Sequence, residues 1–301
     1  MTAPAWAQQR FDLEGRLRPA MSASVSLHGA TTPFSANTLT DPGGRFRFRK
    51  LDAGDYTIVA YAPGRGEVRR TVAVGPSLAD RKGRVRIELD LESLPAQGGV
   101  APRATVSVTT LSIPDKAWRE YENANRKLGQ RDVDAAVAHL EKAVEIAPHF
   151  AQAWNHLGTI AYQTRQFPLA EERFREALRH DANAYEPLVN LGGALLALDR
   201  LDEAAQVNIH AVLVRPNDAL ANSQLGMTYF ALGKLNLARK YLVEAKRLDP
   251  AHFSFPQLAL GEIHLRTKDI PAARAEYEEF LRLHPDAPQA EAIRGLVSRL
   301  P

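Results

Sequence analysis

The sequence predicts a multidomain chain in which an N-terminal all-β sandwich is followed by an all-α superhelical solenoid. Apolar and polar residues alternate with a period of two over residues 8–93, which is typical of half-buried strands. Small and apolar residues then recur every 34 residues over about residues 117–286, which is typical of stacked helical hairpins. At 301 residues, the chain has room for about two domains of roughly 100–200 residues each.

The composition is that of an ordinary globular protein, with 45% hydrophobic and 24% charged residues. A formal net charge of +3 is too small to indicate a polyanionic partner by itself. Cysteine is absent from the sequence, which excludes disulfides, thiolate metal sites and cysteine nucleophiles. No run reaches the roughly 18 apolar residues that a membrane-spanning helix needs.

Clusters of Gly, Pro and Asp separate the strand-like segments, as in an all-β sandwich. In the segment RFRFRKL, strict alternation separates two sets of side chains. One face carries Phe46, Phe48 and Lys50, and the other carries Arg45, Arg47, Arg49 and Leu51. We expect a core that contains Phe46, Phe48, Tyr56, Ile58 and Ala60. A nucleic-acid surface needs aromatics and cations exposed together, so we expect no nucleic-acid partner.

The arginines of these strands are predicted to form a basic face on the sandwich. Its members are Arg45, Arg47, Arg49, Arg69, Arg84 and Arg86. One interpretation is a solvated face that protects edge strands from aggregation. The other interpretation is a surface that binds an acidic partner or an anionic envelope polymer. The charge pattern leaves both interpretations open.

The stretch TDPGGRFRFRKLDAGDYTIVAYAPG follows the pattern T-D-x-x-G-x-F-x-F, then L-x-x-G-x-Y, then an apolar strand that ends near a glycine. The matching positions are Thr40, Asp41, Gly44, Phe46, Phe48, Leu51, Gly54, Tyr56 and Gly64. They resemble the carboxypeptidase regulatory-like domain, a transthyretin-like or immunoglobulin-like sandwich. The resemblance implies a non-catalytic accessory module, of a kind frequent in exported and cell-surface bacterial proteins, with Tyr56 as its buried aromatic anchor.

The 34-residue repeat places small residues where two antiparallel helices approach each other closely. The first helices carry Gly158, Gly192, Gly226 and Gly261, with one residue inserted before the last repeat. The second helices carry Ala170, Ala204, Ala238 and Ala273. Proline ends a helix, and four of the second helices are followed by Pro148, Pro216, Pro250 and Pro285.

The resulting pattern, W-x-x-L-G-x-x-Y, then A-x-x-x-F, then P, resembles the tetratricopeptide repeat family. Repeat one departs from the pattern, with Asn123 and Ala124 in place of Leu-Gly. The resemblance implies a solenoid of about five repeats whose concave surface binds extended peptides or helices. By repeat position, this groove would present Asn125, Gln152, Asn155, Thr159, Tyr162, Val189, Gly193, Leu196, Ser223, Met227, Phe230, Leu258, Glu262 and Leu265.

This predicted groove is nearly uncharged, which suits an extended segment held by backbone hydrogen bonds and small apolar anchors. Some family members bind a C-terminal carboxylate with Lys, Asn and Arg. We do not expect that clamp, because the positions that need cations hold Tyr121, Glu186 and Val189. An alternative interpretation assigns part of the groove to the inter-repeat core, namely Leu196, Met227 and Phe230.

The predicted segments are residues 1–9, a terminus; 10–94, the sandwich; 95–114, a linker; 115–286, five repeats; and 287–301, a capping helix. The linker contains a candidate short strand, TVSVTTLSIP. Ala5-Trp6-Ala7 resembles a signal-peptidase site, so residues 1–9 are interpreted as a signal-peptide remnant or a disordered terminus. With the domain resemblance, this favours the periplasm or cell envelope, and the alternative is the cytoplasm.

The sequence lacks the common catalytic motifs. The sequence contains no H-E-x-x-H, no G-x-x-x-x-G-K-[ST] and no G-x-S-x-G, and its nine histidines show no ligand spacing. We therefore predict a non-enzymatic scaffold or adaptor that binds a protein or peptide partner and needs no metal or cofactor. The alternative is a carbohydrate- or anionic-polymer-binding protein that uses the sandwich, with the repeats as a spacer.

Overall fold

The computed structural model describes residues 9–91 and 112–301, which form a β-sandwich and a helical solenoid. The terminus before residue 9 and the candidate linker strand up to residue 111 lie outside the described residues. The strands are β1 (Phe11–Arg18), β2 (Ser24–Gly29), β3 (Ser35–Leu39), β4 (Arg45–Leu51), β5 (Gly54–Ala62), β6 (Gly66–Val74) and β7 (Arg84–Asp90). The predicted all-β domain is therefore confirmed.

Two sheets make up the sandwich, and we call them sheet A and sheet B. Sheet A has the order β4-β1-β7, and sheet B has the order β3-β2-β5-β6. All neighbouring strands are antiparallel except β1 and β7, which are parallel. Inward-facing side chains of both sheets form one core, and the outer face of sheet B turns toward the solenoid.

The predicted sandwich core is confirmed, with one correction in β4. Phe46 and Phe48 are each 5% exposed and lie in the core with Tyr56, whose hydroxyl donates to the carbonyl of Asp52. Leu51 was expected on the arginine face, but it is fully buried. The reason is a bulge: Lys50 adopts a φ of 56°, and the pairing register with β1 shifts by one residue. Lys50 therefore points to solvent, and the chain returns Leu51 to the core.

Five helical hairpins and a short last helix form the solenoid, as predicted. The helices are α1 (Asp115–Gly129), α2 (Val133–Ile146), α3 (Ala151–Gln163), α4 (Phe167–His180), α5 (Tyr185–Ala197), α6 (Leu201–Val214), α7 (Ala219–Ala231), α8 (Leu235–Leu248), α9 (Pro256–Arg266), α10 (Ile270–Leu283) and α11 (Ala290–Val297). Repeats 1 to 5 are the successive pairs from α1–α2 to α9–α10. The prolines do follow the ends of α2, α6, α8 and α10.

The repeated glycines mark close approaches between the two helices of a hairpin. A Cβ added at Gly158 would lie 2.6 Å from the ring of Phe174, which is 1% exposed. The equivalent glycines meet the residue sixteen positions later in the same way, as seen for Gly192 with Asn208, Gly226 with Leu242 and Gly261 with Tyr277. The sequence rule for small residues therefore has a direct steric basis in this solenoid.

We expect Gly158→Ala to lower the free energy of unfolding by about 1–3 kcal/mol, because the added methyl group overlaps the buried Phe174 ring. Gly295→Ala in α11 is the matched control, since no atom lies within 4 Å of the added Cβ. That control should leave stability unchanged or raise it by about 0.5–1 kcal/mol. Urea unfolding of both variants provides the comparison, and equal shifts would contradict the packing account.

Each hairpin turn carries one residue with left-handed backbone geometry at the same repeat position. These residues are Arg131, Arg165, Asp199, Gly233 and Lys268, with φ between 58° and 71°. Only repeat 4 uses glycine there, although glycine is the residue that tolerates this geometry best. The other four repeats hold a residue with a side chain at this strained position. In repeat 1 the residue is Arg131, whose side-chain contacts account for the use of a non-glycine residue there.

Candidate functional site

The outer face of sheet B lies against the solenoid, and we call the contacts between them the docking interface. At its N-terminal end, Arg131 reaches the sandwich from the turn of repeat 1. Its Nε donates to Asp52 Oδ2 at 2.6 Å, and its Nη2 donates to the carbonyl of Lys50 at 2.7 Å. The guanidinium also lies 5.4 Å from the ring centroid of Phe34. Arg131 thus fastens the β4–β5 turn to the first repeat.

Repeats 1 and 2 also contact the sandwich through the last residues of their first helices. Gln163, which ends α3, donates from Nε2 to the carbonyl of Gly29 at 2.8 Å. Gly129, which ends α1, approaches β3 so closely that an added Cβ would lie 2.9 Å from the carbonyl oxygen of Ser35. The Gln163 amide bonds the sandwich backbone at the end of α3. The absence of a side chain at Gly129 lets the backbone of β3 approach the end of α1.

Two carboxylates hold the other end of the docking interface, and both come from turns after second helices. Asp249 Oδ2 accepts the backbone N–H of Thr71 at 2.9 Å. Asp286 accepts from Ser77 twice, from N–H at 3.0 Å and from Oγ at 2.6 Å. Since β6 is an edge strand of sheet B, Asp249 satisfies a donor that no neighbouring strand can satisfy. The sandwich therefore spans the solenoid from repeat 1 to the turn after repeat 5.

A histidine lies in the docking interface beside these carboxylates. His284, which follows α10, is 1% exposed, and its Nδ1 lies 3.4 Å from Asp55 Oδ1 of β5. Its ring stacks against Phe280 and packs edge-on against Phe255. Phe255 and Phe280 thus hold the His284 ring with its Nδ1 toward Asp55 of the sandwich.

Of the predicted groove residues, some are exposed, some are buried and some already form hydrogen bonds within the chain. Gln152 and Tyr162 keep exposed side chains, and Tyr162 is 37% exposed. Val189, Gly193 and Ser223 are buried. Gln152 and Tyr162 therefore present side-chain surface to solvent, whereas the other three residues present almost none.

Several polar groove residues already have intramolecular partners. Asn190 donates from Nδ2 to Asn155 Oδ1 at 3.0 Å and lies 3.5 Å from Thr159 Oγ1. Glu262 accepts from Arg266 at 2.9 Å. The bonds of Asn190 link the neighbouring first helices α3 and α5, whereas the bond between Glu262 and Arg266 lies within α9. The bonds of Asn190 limit what Asn155 and Thr159 can still offer to a ligand.

The apolar groove residues serve the solenoid as well. Leu196 packs against the core around α4 and α5, and Met227 and Phe230 pack against the core around α8 and α9. All three are half-buried, as are Asn125, Leu258 and Leu265. This packing agrees with the alternative interpretation that assigned Leu196, Met227 and Phe230 to the inter-repeat core.

One set of groove residues was missed by the sequence analysis. His156, Asn190 and Gln224 occupy the same position in the first helices of repeats 2, 3 and 4, and we call them the polar ladder. His156 Nδ1 and Gln224 Oε1 are buried and have no hydrogen-bond partner among the described residues. The 34-residue spacing from His156 to Asn190 to Gln224 was a readable signal, because polar residues recur there beside an apolar position.

Burial shifts the pKa of three groups near the docking interface. It lowers the pKa of His252 to about 3, with a further contribution from His284, and it lowers the pKa of His156 to about 4, with a further contribution from His28. Burial raises the pKa of Asp249, although the bonds from Thr71 oppose this shift. Near neutral pH, both imidazoles are therefore uncharged in the folded chain.

These shifts predict that acid destabilises the chain well above the range in which carboxylates titrate. Below about pH 6.5 the unfolded chain binds a proton at His252 that the folded chain does not, so stability is lost as pH falls from about 6.5 toward about 3. His252 alone should contribute about 1.4 kcal/mol per pH unit. The raised pKa of Asp249 acts in the opposite direction, since its protonated form favours the folded state.

Urea unfolding between pH 7 and 5 measures this dependence. We expect His252→Gln to make the free energy of unfolding less dependent on pH, because the buried imidazole is gone. His210→Gln, at an exposed position of α6, is the matched control and should leave the dependence unchanged. Identical slopes for the two variants would contradict the assignment to His252.

Two family models match the chain. The carboxypeptidase regulatory-like domain matches residues 14–89. The tetratricopeptide repeat matches residues 121–179, 157–208, 223–288 and 258–299, which together make up more than half of the chain. The chain belongs to the tetratricopeptide repeat family. Both resemblances seen in the sequence are therefore confirmed, and the solenoid is a tetratricopeptide repeat solenoid preceded by a carboxypeptidase regulatory-like domain.

Relatives of the tetratricopeptide solenoid include a bacterial pilus assembly protein. The chain is 30% identical over 174 residues to the type IV pilus assembly protein PilF of Pseudomonas aeruginosa, covering 55% of this chain and 68% of PilF. It is 22% identical over 168 residues to anaphase-promoting complex subunit 3 of Schizosaccharomyces pombe, of which it covers 25%. The crystal structure of PilW, a type IV pilus biogenesis factor, shares the fold with a TM-score of 0.55 at 19% identity, covering 61% of this chain and 84% of PilW.

The predicted basic face needs one correction. Arg45, Arg47, Arg49, Arg84 and Arg86 lie on β4 and β7 of sheet A. Arg69 lies on β6 of sheet B, close enough to Tyr185 of the tetratricopeptide solenoid to influence its pKa. Alternation within one strand could not reveal this, because it does not say to which sheet a strand belongs.

Carboxylates neutralise much of the charge on sheet A. Arg47 lies 2.6 Å from Asp12, and Arg84 and Arg86 lie 2.9 and 3.1 Å from Asp80. The bond from Arg47 lowers the pKa of Asp12, and the bond from Arg84 lowers the pKa of Asp80 to about 2. These carboxylates therefore stay charged over the physiological range and keep their arginines paired.

In residues 9–91 and 112–301, no group of three or more His, Cys, Asp or Glu side chains could hold a metal ion. Across the same ranges, no helix combines the length and the apolar character that a membrane crossing requires.

Proposed function

We propose that this chain is a non-enzymatic protein–protein interaction scaffold of the bacterial cell envelope. Its concave tetratricopeptide surface binds an extended or helical segment of a partner. The observation that supports this most is the polar ladder, because His156 Nδ1 and Gln224 Oε1 are buried polar atoms without a hydrogen-bond partner among the described residues. Buried groups of this kind favour a ligand that supplies the missing hydrogen bonds.

The chemistry of the surface favours an extended backbone as the ligand. Imidazole and amide groups donate and accept hydrogen bonds without carrying charge near neutral pH. Tyr162, on the same helix as His156, adds an exposed aromatic ring suited to a small apolar side chain. A segment with free N–H and C=O groups and small apolar residues would meet both requirements.

Two observations support the envelope as the location. PilF and PilW are, by name, a pilus assembly protein and a pilus biogenesis factor, and type IV pili are structures of the cell envelope. The carboxypeptidase regulatory-like domain, matched over residues 14–89, is of a kind frequent in exported bacterial proteins. Fractionation of cells that produce the chain should place it in the periplasmic or membrane-associated fraction. Recovery in the cytoplasmic fraction alone would contradict this location.

Site-specific photo-crosslinking in such cells tests the groove. A photo-reactive phenylalanine analogue replaces Tyr162 in the groove, and in a second chain it replaces Leu213, which is 75% exposed on the second helix of repeat 3. We expect a discrete protein adduct from position 162 and none of the same mass from position 213. Adducts from position 213 alone, or from neither position, would contradict binding in the groove.

A second function, binding of an anionic polymer, is favoured by one observation on sheet A. Arg16, Arg45 and Arg49 are exposed there, line one open depression and form no salt bridge within the described residues. Three exposed guanidinium groups on one face suit a chain of carboxylates or phosphates. Retention on an anionic polysaccharide column tests this function. Replacing all three arginines with glutamine should abolish the retention, and unchanged retention would contradict it.

A further inference from the structure

We propose that the β-sandwich is a displaceable cover for the concave tetratricopeptide surface, so that a partner segment binds only after the sandwich moves away. The inference rests on the proposed function, because it assigns the same surface to the partner. It also makes a claim of its own, since reversible docking of the sandwich can be measured without any partner.

The position of the sandwich on the solenoid supports the proposal. The docking interface begins at Arg131 in repeat 1, passes the first helix of repeat 2 at Gln163 and ends at Asp286 after repeat 5. His28 of β2 lies near enough to His156 of the polar ladder to affect its pKa. The sandwich thus stands over the face on which the family binds its ligands, and the two occupants would exclude each other.

The composition of the docking interface makes release feasible. Each domain has its own hydrophobic core, formed entirely by its own residues, so separation leaves both cores intact. The connecting bonds are polar, and water can replace each of them once the domains part. Interfaces of this character between domains of one chain are typically mobile.

The sandwich also leaves hydrogen-bonding capacity of the groove unused. His156 Nδ1 and Gln224 Oε1 of the polar ladder are buried without a hydrogen-bond partner among the described residues. A buried polar atom without a hydrogen-bond partner destabilises the state in which it is buried. A partner segment that bonds to these atoms would gain what the sandwich does not, and this difference would drive the exchange of one occupant for the other.

The covalent connection between the two domains explains why the sandwich can cover the concave surface although it leaves polar atoms of that surface unpaired. The sandwich and the solenoid belong to one chain, so docking is intramolecular. Effective concentrations in linked domains reach the millimolar range, which favours docking even when each contact is weak. A free partner must therefore bind better than the sandwich, or it must be presented at a high local concentration.

A single introduced cysteine can report docking, because the chain has no cysteine of its own. Thr71 lies on the outer face of sheet B, is 7% exposed, and touches Asp249 through its backbone. Ser24 lies on the outer face of the same sheet and is exposed. The full chain carrying Thr71→Cys, and the full chain carrying Ser24→Cys as a control, are treated with a thiol reagent.

We expect the thiol at position 71 to react at least about tenfold more slowly than that at position 24. Adding Arg131→Gly and Asp286→Ala should accelerate the reaction at position 71 at least about tenfold, and it should leave position 24 unchanged. Helical circular dichroism confirms that each variant is folded. Equal rates at the two positions in the parent chain, or no acceleration in the opened variant, would overturn the proposal.

Photo-crosslinking from position 162 then links docking to binding. The opened variant should give at least severalfold more adduct than the parent chain. Acceleration at position 71 with an unchanged adduct yield would overturn the exclusion of the partner and leave the groove function standing. If no adduct forms from either chain, the groove function fails, and the proposed role of the sandwich as a cover fails with it.

Discussion

Replacing Phe174 with alanine is expected to lower the free energy of unfolding by about 3–5 kcal/mol. The Phe174 ring is 1% exposed and lies in the core between repeats 2 and 3. It packs directly over Gly158, which has no side chain that could move into the space. The cavity would therefore stay open, and cavities of this kind carry the largest costs among core substitutions. Urea unfolding followed by helical circular dichroism measures the loss.

Phe167→Ala is the matched control for this prediction. Phe167 begins the same helix α4 and is only half-buried. Its ring centroid lies 5.4 Å from that of the exposed Tyr162. Its removal should cost about 1 kcal/mol, because surrounding water and side chains can fill the space. Equal losses for the two phenylalanines would show that the close approach at Gly158 does not organise the solenoid.

The second large effect is expected at Arg131. Arg131→Gly removes two charge-assisted hydrogen bonds to the β4–β5 turn, and such bonds contribute about 1.5–3 kcal/mol each when shielded. The Arg131 side chain is 30% exposed, which weakens them, and glycine relieves the left-handed backbone by about 1 kcal/mol. We therefore expect a net loss of about 1–3 kcal/mol, with the sandwich uncoupled from repeat 1.

Arg165→Gly provides a close control, because Arg165 occupies the same turn position in repeat 2 with a φ of 61°. Its side chain makes no hydrogen bond or salt bridge to the sandwich among the described residues. Glycine should therefore raise stability there by about 0.5–1 kcal/mol. Thermal unfolding of both variants gives the comparison. A rise at position 131 equal to that at position 165 would mean that Arg131 does not couple the domains.

Much of the architecture could be predicted because its causes are local and periodic. The hairpins follow from the small residues at Gly158 and Ala170 and their counterparts one repeat later, since helix packing repeats with the sequence. The sandwich core follows from alternation at Phe46 and Phe48. The exception is Lys50, where a bulge breaks the alternation and brings Leu51 into the core.

The docking interface could not be predicted, because its partners lie far apart in the chain and belong to residue types that are common on any surface. Thr71 and Asp249 are 178 positions apart, and Ser77 and Asp286 are 209 apart. No periodicity relates two domains of different folds. The same limit explains Arg69, whose sheet depends on strand order rather than on the alternation within its own strand.

The candidate site was partly predictable for the same reason. Repeat position correctly indicated the first helices, yet it could not distinguish exposed Tyr162 from buried Val189, because local packing decides between them. The polar ladder was readable from its 34-residue spacing. Its unsatisfied atoms at His156 and Gln224 were not, since satisfaction depends on the surroundings.

Formation of one disulfide tests most directly the central claim, that the sandwich docks across the tetratricopeptide solenoid. Ser77→Cys and Asp286→Cys replace two side chains that lie 2.6 Å apart, Oγ to Oδ1, in a chain without other cysteines. Mild oxidation of the full chain should give a monomer with an intramolecular disulfide. The pair Ser77→Cys and Glu291→Cys, with position 291 exposed on α11, should not give one. Only intermolecular dimers, or equal cross-linking of both pairs, would contradict the docked arrangement.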